Sequence, residues 1–319
     1  MKILVTGGAG FIGSHLCERL INDSHNVVAL DISSTGRVSN LGKIIDSPSF
    51  QLIEGSILDT DLLNSIMAEV DYVFHLAAAV GVFNIVKNPL ESLLTNIRGT
   101  ENVLEAAEAL GVPVFLTSSS EVYGKNVSDS LKESDDRILG SPTTLRWSYS
   151  EAKAIDESLA YAYHVEKGLT TRIIRFFNTV GPRQLGAYGM VVPRFVNAAI
   201  KDEPITIYGD GNQTRCFAHV YDAIDAVMAV AFAENTVGKV INIGNNYEIS
   251  IIALAEKIIK QLGSKSEIIY VPYQEAYGEG FEDMERRVPN LALIKELVGW
   301  SPKRDLTTII SDIAREMGR

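Results

Sequence analysis

Cysteine is scarce in this chain of 319 residues: Cys17 and Cys216 are its only two. That count excludes a disulfide framework and a multi-thiolate metal centre, both of which need several cysteines at set spacings. Cys17 falls on the apolar side of the segment after the first strand-like run and reads as core. Histidine is nearly as sparse, and none of His15, His25, His75, His164 and His219 stands at metal-ligand spacing from another, so no metal site is expected. No apolar run approaches the roughly 20 residues of a membrane-spanning helix. The chain opens directly on a strand-like run, so neither a membrane span nor a signal peptide is expected, and cytoplasmic residence is the simple inference. Positive charge is in deficit too: the formal net charge is −11. This argues against a nucleic-acid binder while leaving room for an anionic substrate held by a local group of arginines. Apolar surface is plentiful. At 46% hydrophobic, the chain can bury a large core as one large or two closely joined domains.

The first segment, MKILVTGGAGFIGSHLCERL, runs an apolar strand from Ile3 to Val5 into Gly7, Gly10 and Gly13, then into a helical pattern of Phe11, Ile12, Leu16 and Leu20. Gly7 permits the sharp turn, Gly10 lets backbone amides approach a pyrophosphate, and Gly13 lets the helix lie close on the strand. The phosphates would then rest on a helix N-terminus. The glycine spacing departs from G-x-G-x-x-G, and an ordinary glycine turn is the plain alternative. A second strand, Asn26 to Leu30, ends in Asp31, 18 residues beyond Gly13, where a carboxylate can hold the adenosine ribose hydroxyls. Asp31 would repel a 2′-phosphate, which points to NAD over NADP; Arg37 points the other way.

Apolar runs near 3–6, 27–31, 71–75, 113–118 and 170–177 are separated by helix-length segments. This predicts an α/β, doubly wound parallel sheet of Rossmann type with a smaller C-terminal α/β lobe. After about residue 178 strands shorten and glycine and proline increase. Residues 220–232 and 240–243 read as helix then strand, so the chain is expected to return to the first lobe. The first lobe is placed at 1–178 plus about 211–244, the second at about 179–210 plus 245–319. GPRQLGAYGM, IYGDGNQTRCF and EAYGEGFEDM read as loops that close over a ligand. Long helical patterns at Asn88 to Leu110 and Leu145 to Val165 offer apolar faces for a dimer of paired helices; packing on the sheet alone explains them equally.

The chemistry centres on Tyr149 and Lys153, one helical turn apart in SYSEAK. A phenol acting as a base near neutral pH needs its pKa lowered, and an ammonium on the same helix face together with a nicotinamide's positive charge does that. Lys153 can also hold the nicotinamide ribose. Such a pair is common by chance, so the hydroxyl run Thr117 to Ser120 before Glu121, at the C-terminal end of a strand where open parallel sheets bind ligands, is what gives it weight.

These segments together resemble the extended short-chain dehydrogenase/reductase family, its NAD-dependent nucleotide-sugar epimerase and dehydratase group. The resemblance covers essentially the whole chain and is carried by TGGAGFIG, Asp31, FHLAA, Asn96 in TNIRGT, SSSEVYG, Tyr149 with Lys153, RFFNTVGPR and GDGNQTRCF. It implies a tightly held NAD that oxidises a UDP-sugar at C4 and is later reoxidised, and a homodimer. By position it implies Ser119, Glu121, Tyr149 and Lys153 as catalytic residues. Cofactor contacts fall to Gly7, Gly10, Phe11, Ile12, Gly13, Asp31, Ser56, Ile57, Leu76, Ala77, Ala78, Asn96, Tyr149 and Lys153. Substrate contacts fall to Ser119, Ser120, Glu121, Asn178, Val192, Arg194, Tyr208, Arg215 and Arg287. Ser56 departs from the aspartate usual there and weakens the expected adenine contact.

Ser120 replaces the aspartate a 4,6-dehydratase would use, which disfavours dehydration. The pair Ser120-Glu121, RWSYSEAK and YGEGFEDMERRVP resemble UDP-glucuronate decarboxylases, implying a UDP-xylose-type product. Arg194 is placed as in UDP-sugar 4-epimerases acting on UDP-glucuronate, UDP-glucose or UDP-N-acetylglucosamine. For Arg287 a salt bridge to Glu282 or Asp283 is the plain alternative, and for Arg194 a phosphate or surface contact. A 4-ketosugar reductase and a non-catalytic NAD-sensing protein are the remaining readings; the second is opposed by retention of Ser119, Tyr149 and Lys153.

Overall fold

Alternation within single strands decides how the first lobe is layered. In β1 (Lys2–Thr6), Ile3 and Val5 enter one core while Leu4 enters another, as a strand buried on both faces requires. The computed structural model describes residues 1–33, 36–81, 87–186, 190–272, 275, 284 and 286–318. After β1 come α1 (Phe11–Asn22), β2 (Asn26–Asp31), β3 (Phe50–Glu54), α2 (Thr60–Met67), β4 (Tyr72–His75), α3 (Pro89–Leu110), β5 (Val114–Ser119), α4 (Ser148–Lys167) and β6 (Thr171–Phe176). The five strands expected from apolar runs are all present. The expectation omitted β3, whose residues are only half-buried at the sheet edge and so carry a weak apolar signal.

Beyond β6 lie β7 (Thr179–Val180), α5 (Val191–Ile200), β8 (Ile205–Tyr208), β9 (Thr214–Cys216), β10 (Ala218–His219), α6 (Val220–Ala231) and β11 (Val240–Ile243). Next are β12 (Glu248–Ser250), α7 (Ile251–Leu262), β13 (Ile268–Val271), α8 (Ala292–Val298) and α9 (Leu306–Glu316). The main sheet runs β11-β6-β5-β4-β1-β2-β3 with every pair parallel. Helices α2, α3 and α4 cover one face, with Leu63, Val103, Leu104 and Ala160 buried there. On the other face α1 and α6 bury Leu16, Leu20, Ala223 and Val227. Chain direction across the sheet reverses between β4 and β2, on either side of β1, and a crevice opens at such a switch point beyond the strand C-termini.

A separate core gathers Phe195 and Val196 of α5, Ile207 of β8, Leu254 and Ile258 of α7 and Ile309 and Ile313 of α9. The stretch 245–319, expected wholly in this smaller lobe, does not stay there. Ile294 and Trp300 pack in the core beneath the main sheet with α6, and Leu291, Leu293, Leu297 and Val298 lie against the same core. Helices α3 and α4 pack on each other and on the sheet, yet leave Leu90, Ile155, Tyr161 and Val165 exposed. Among the described residues no helix is long and apolar enough to cross a membrane.

Candidate active site

Six parallel strands, β1 to β6, bring their C-terminal ends or the residues just beyond them to one cavity of about 770 Å³ between the two lobes. At one end lies the turn after β1. Gly7 adopts the left-handed region (φ 72°), and a Cβ on it would meet the Ala77 backbone nitrogen at 2.9 Å. A Cβ on Gly13 would stand 2.1 Å from the Gly7 carbonyl oxygen, so α1 can lie on the turn only because both residues are glycine. Gly10 is the N-cap of α1 and offers no side-chain cap, which leaves first-turn amides for an anion. Gly7, Gly10, Phe11, Ile12 and Gly13 all line the cavity. So do Leu76, Ala77 and Ala78 after β4, and Ser56 and Ile57 after β3.

Asp31 ends β2 at the cavity wall, accepting hydrogen bonds from Ala9 N (2.9 Å) and Ser33 N (2.7 Å). The carboxylate therefore also fixes the glycine turn, and it has lone pairs beyond these two bonds to offer a ligand hydroxyl. The Ser56 hydroxyl accepts from Leu58 N at 3.1 Å and closes its own turn. These features fit a dinucleotide: a side-chain-free anion cradle, an acid one strand away, and a groove joining both to Tyr149.

Two expected contacts are corrected. Asn96 does not line the cavity; its side-chain oxygen accepts from Ala79 N (2.7 Å) and its nitrogen donates to Ala79 O (3.2 Å), so it holds the 77–79 wall from behind. Val192 is wholly buried in the smaller lobe's core, and its neighbour Val191 faces the cavity instead. On a helix, adjacent residues point about 100° apart, so a one-residue error changes the face.

Ser119, at the end of β5, accepts from Glu121 N at 3.2 Å and lines the cavity with Ser120, Tyr149 and Lys153. Lys153 is buried, with Nζ 3.0 Å from Asp156 Oδ2. Burial works against its charge, but Asp156 and then Tyr149 outweigh it and hold the ammonium above the usual lysine range. For Tyr149, Lys153 is one part of a balance among the protein's own groups. Burial raises the Tyr149 pKa, Lys153 pulls it down, and Glu121 and Asp156 push it up again, leaving it above an ordinary phenol.

Glu121 lies between two guanidinium groups, Arg146 Nη1 at 2.5 Å and Arg287 Nη1 at 2.8 Å. Burial alone would raise its pKa; Arg287 and Arg146 overcome that and hold it down to about 2. Arg287 also donates to the Ser120 hydroxyl at 3.2 Å. The alternative partners Glu282 and Asp283, and most of EAYGEGFEDM, lie outside the described residues. From the smaller lobe, Arg194 stacks over Tyr208 at 4.3 Å from the ring centre. Its Nε is buried without a hydrogen-bond partner, and among the described residues it has no carboxylate partner. Asn178 donates to Cys216 O at 3.0 Å; it, Arg215 and Tyr208 complete the far wall.

Sequence reasoning missed Arg146 and Asp156. Both signals were present: Arg146 is three residues before Tyr149, and Asp156 is three after Lys153 on the same helical face.

The model of the GDP-mannose 4,6 dehydratase family matches residues 4–313. The chain is 39% identical over 302 residues to UDP-N-acetyl-alpha-D-glucosaminuronate decarboxylase of Bacillus cytotoxicus, covering 94% of this chain and 92% of that one. It is 37% identical to UDP-glucuronic acid decarboxylase 1 of Xenopus tropicalis, covering 94% and 68% respectively. The crystal structure of UDP-glucuronic acid 4-epimerase from Bacillus cereus, in complex with UDP-glucuronic acid and NAD, superimposes with a TM-score of 0.89 at 30% identity over 99% of both chains. With its glycine cradle, its Tyr149/Lys153 pair and a match over nearly its whole length, this chain belongs to the GDP-mannose 4,6-dehydratase family of extended short-chain dehydrogenases/reductases.

Proposed function

We propose that this protein is an NAD-dependent UDP-uronate decarboxylase that works through a 4-keto intermediate. The observation that carries this reading is the Arg146–Glu121–Arg287 group beside Ser119 and Tyr149. Two guanidinium groups at the cavity wall beside Ser119 and Ser120 are the chemistry that recognises a sugar carboxylate. NAD, when bound, supplies a hydride acceptor and a positive ring that acts on Tyr149 in the same direction as Lys153. Tyr149 takes the proton of the C4 hydroxyl, with Ser119 sharing that oxygen. A C6 carboxylate is then β to a ketone. When the C5–C6 bond breaks, carbon dioxide leaves and its electron pair moves to O4, which Tyr149 and Ser119 stabilise. Glu121, held ionised, orients Arg287 and the incoming proton path to C5. C5 would take a proton from solvent in place of the lost carboxylate, and Tyr149 would return its own proton to O4 once C4 is reduced again.

In this reading the larger lobe takes the cofactor through Asp31 and the glycine turn, and the smaller lobe takes the nucleotide diphosphate through Asn178 and Arg215. The similarity to a UDP-N-acetylglucosaminuronate decarboxylase makes the 2-acetamido uronate a substrate to test beside UDP-glucuronate. Arg194, stacked on Tyr208 and without a carboxylate partner among the described residues, favours a second reading, 4-epimerisation, in which it grips the C6 carboxylate and prevents its loss. Incubation with each uronate and NAD, followed by mass spectrometry, separates the two. Loss of carbon dioxide supports the first reading; an unchanged mass with inverted C4 supports the second, and inertness toward both uronates overturns both. The exposed Leu90, Ile155, Tyr161 and Val165 on α3 and α4 support a homodimer through these helices, and sedimentation as a clean monomer would contradict it.

A further inference from the structure

Asp156 is fully buried on the inner face of α4, three residues from Lys153 and seven from Tyr149. Its Oδ2 lies 3.0 Å from Lys153 Nζ, and both side chains are shut off from solvent. Beneath it runs a chain of buried polar groups whose hydrogen positions can be deduced. The Thr6 hydroxyl accepts from the backbone amides of Leu76 (3.2 Å) and Ala77 (3.1 Å), so its own proton goes to His75 Nδ1 at 2.8 Å. His75 is neutral, burial holding its pKa down to about 3. Its remaining proton is therefore on Nε2 and is donated to the Thr100 hydroxyl at 3.1 Å. Asp156 keeps its other oxygen, Oδ1, buried without a hydrogen-bond partner; burial, above all, raises its pKa, and Lys153 and then Thr100 pull the other way. The hydrogen-bonded path from the turn after β4 thus ends at Thr100.

We propose that Asp156 is a positioning residue for the acid–base pair: it keeps the buried Lys153 ammonium charged and in place, and its own negative charge limits how strongly Lys153 favours the tyrosinate. Lys153 faces no other countercharge at hydrogen-bond distance among the described residues. The other charged neighbours are engaged elsewhere. Glu157 on the same helix binds Arg175 of β6 at 2.7 Å and accepts from Ser118 of β5. Glu121 after β5 binds the two arginines, and Arg137 lies beyond Glu157. His75 from β4 is neutral, and α3 presents the Thr100 hydroxyl.

This inference rests on the C4 oxidation proposed above, so wild-type turnover of a UDP-uronate is established first; inertness there counts against that reading and not against Asp156. Asp156→Asn removes the charge at nearly constant shape. With it gone, Lys153 acts on Tyr149 unopposed and is itself left to burial, so both limbs of the pH–rate profile move to lower pH. The near-ultraviolet phenolate titration of the NAD-loaded protein, with the Tyr149→Phe background subtracted, moves in the same direction without reference to turnover. Asp156→Ser, which keeps a neutral acceptor, gives the same readings should the asparagine variant not fold. A lower rate with both limbs and the phenolate titration unmoved would overturn the proposal and leave Asp156 a packing residue.

Discussion

Glu121 is held in the site by ion pairs to two arginines. Its carboxyl, held down to about 2 by Arg287 and Arg146 against burial, stays ionised throughout the physiological range and is a poor proton donor there. Glu121→Gln leaves both guanidinium groups without their buried countercharge. C4 oxidation should survive while carbon dioxide loss falls by roughly a hundredfold, so that enzyme-bound NADH accumulates and is seen by absorbance. Equal loss of both steps would make Glu121 a general binding residue. Tyr149 and Lys153 stood out in the sequence because their spacing is local, and Glu121 because the Ser120-Glu121 pair resembles that of UDP-glucuronate decarboxylases. The three-way contact of Glu121 with Arg146 and Arg287 was not legible, since Arg287 is more than 160 residues away and only the fold brings it to Glu121. Tyr149 shows the converse: its helix partner was legible, but the burial that outweighs Lys153 is a property of the folded site.

At the scale of elements, the β1–α1 unit places the cofactor end of the cavity. A methyl on Gly13 would meet the Gly7 carbonyl oxygen at 2.1 Å and the Gly8 Cα at 2.9 Å, backbone atoms that cannot turn aside. Gly13→Ala should therefore cost about 1–3 kcal/mol of stability and weaken NAD binding, read by urea unfolding and by calorimetric titration. Unchanged NAD affinity would contradict the cradle. Elements with strong periodicity were legible from sequence, down to the return of α6 and β11 to the main sheet. The half-polar edge strand β3 was not, nor was the docking of α8 beneath the sheet, because a helix stripe says that it must be covered and not by what.

Across the whole molecule, acid should destabilise the fold earlier than its carboxylates alone would. His15, at the junction of the lobes, donates from Nε2 to Pro182 O at 3.0 Å. Burial, above all, lowers its pKa to about 4, and that of His75 to about 3. In the unfolded chain these imidazoles take up protons near 6.5, so below that value the unfolded state binds more protons and stability falls with pH until the folded pKa is reached. The urea midpoint should drop between about pH 7 and about pH 5, and His15→Gln should shrink that drop. A drop of the same size in the variant would remove His15 from the account.

In the proposed reading, the one cavity between the lobes brings cofactor, acid–base pair and arginines to a single sugar ring. The most direct test is turnover of UDP-glucuronate in deuterium oxide with NAD and no added reductant, followed by proton NMR. The account predicts a UDP-pentose bearing one solvent deuteron at C5 and no net NADH. A six-carbon uronate inverted at C4 with its original hydrogen at C5 would contradict it.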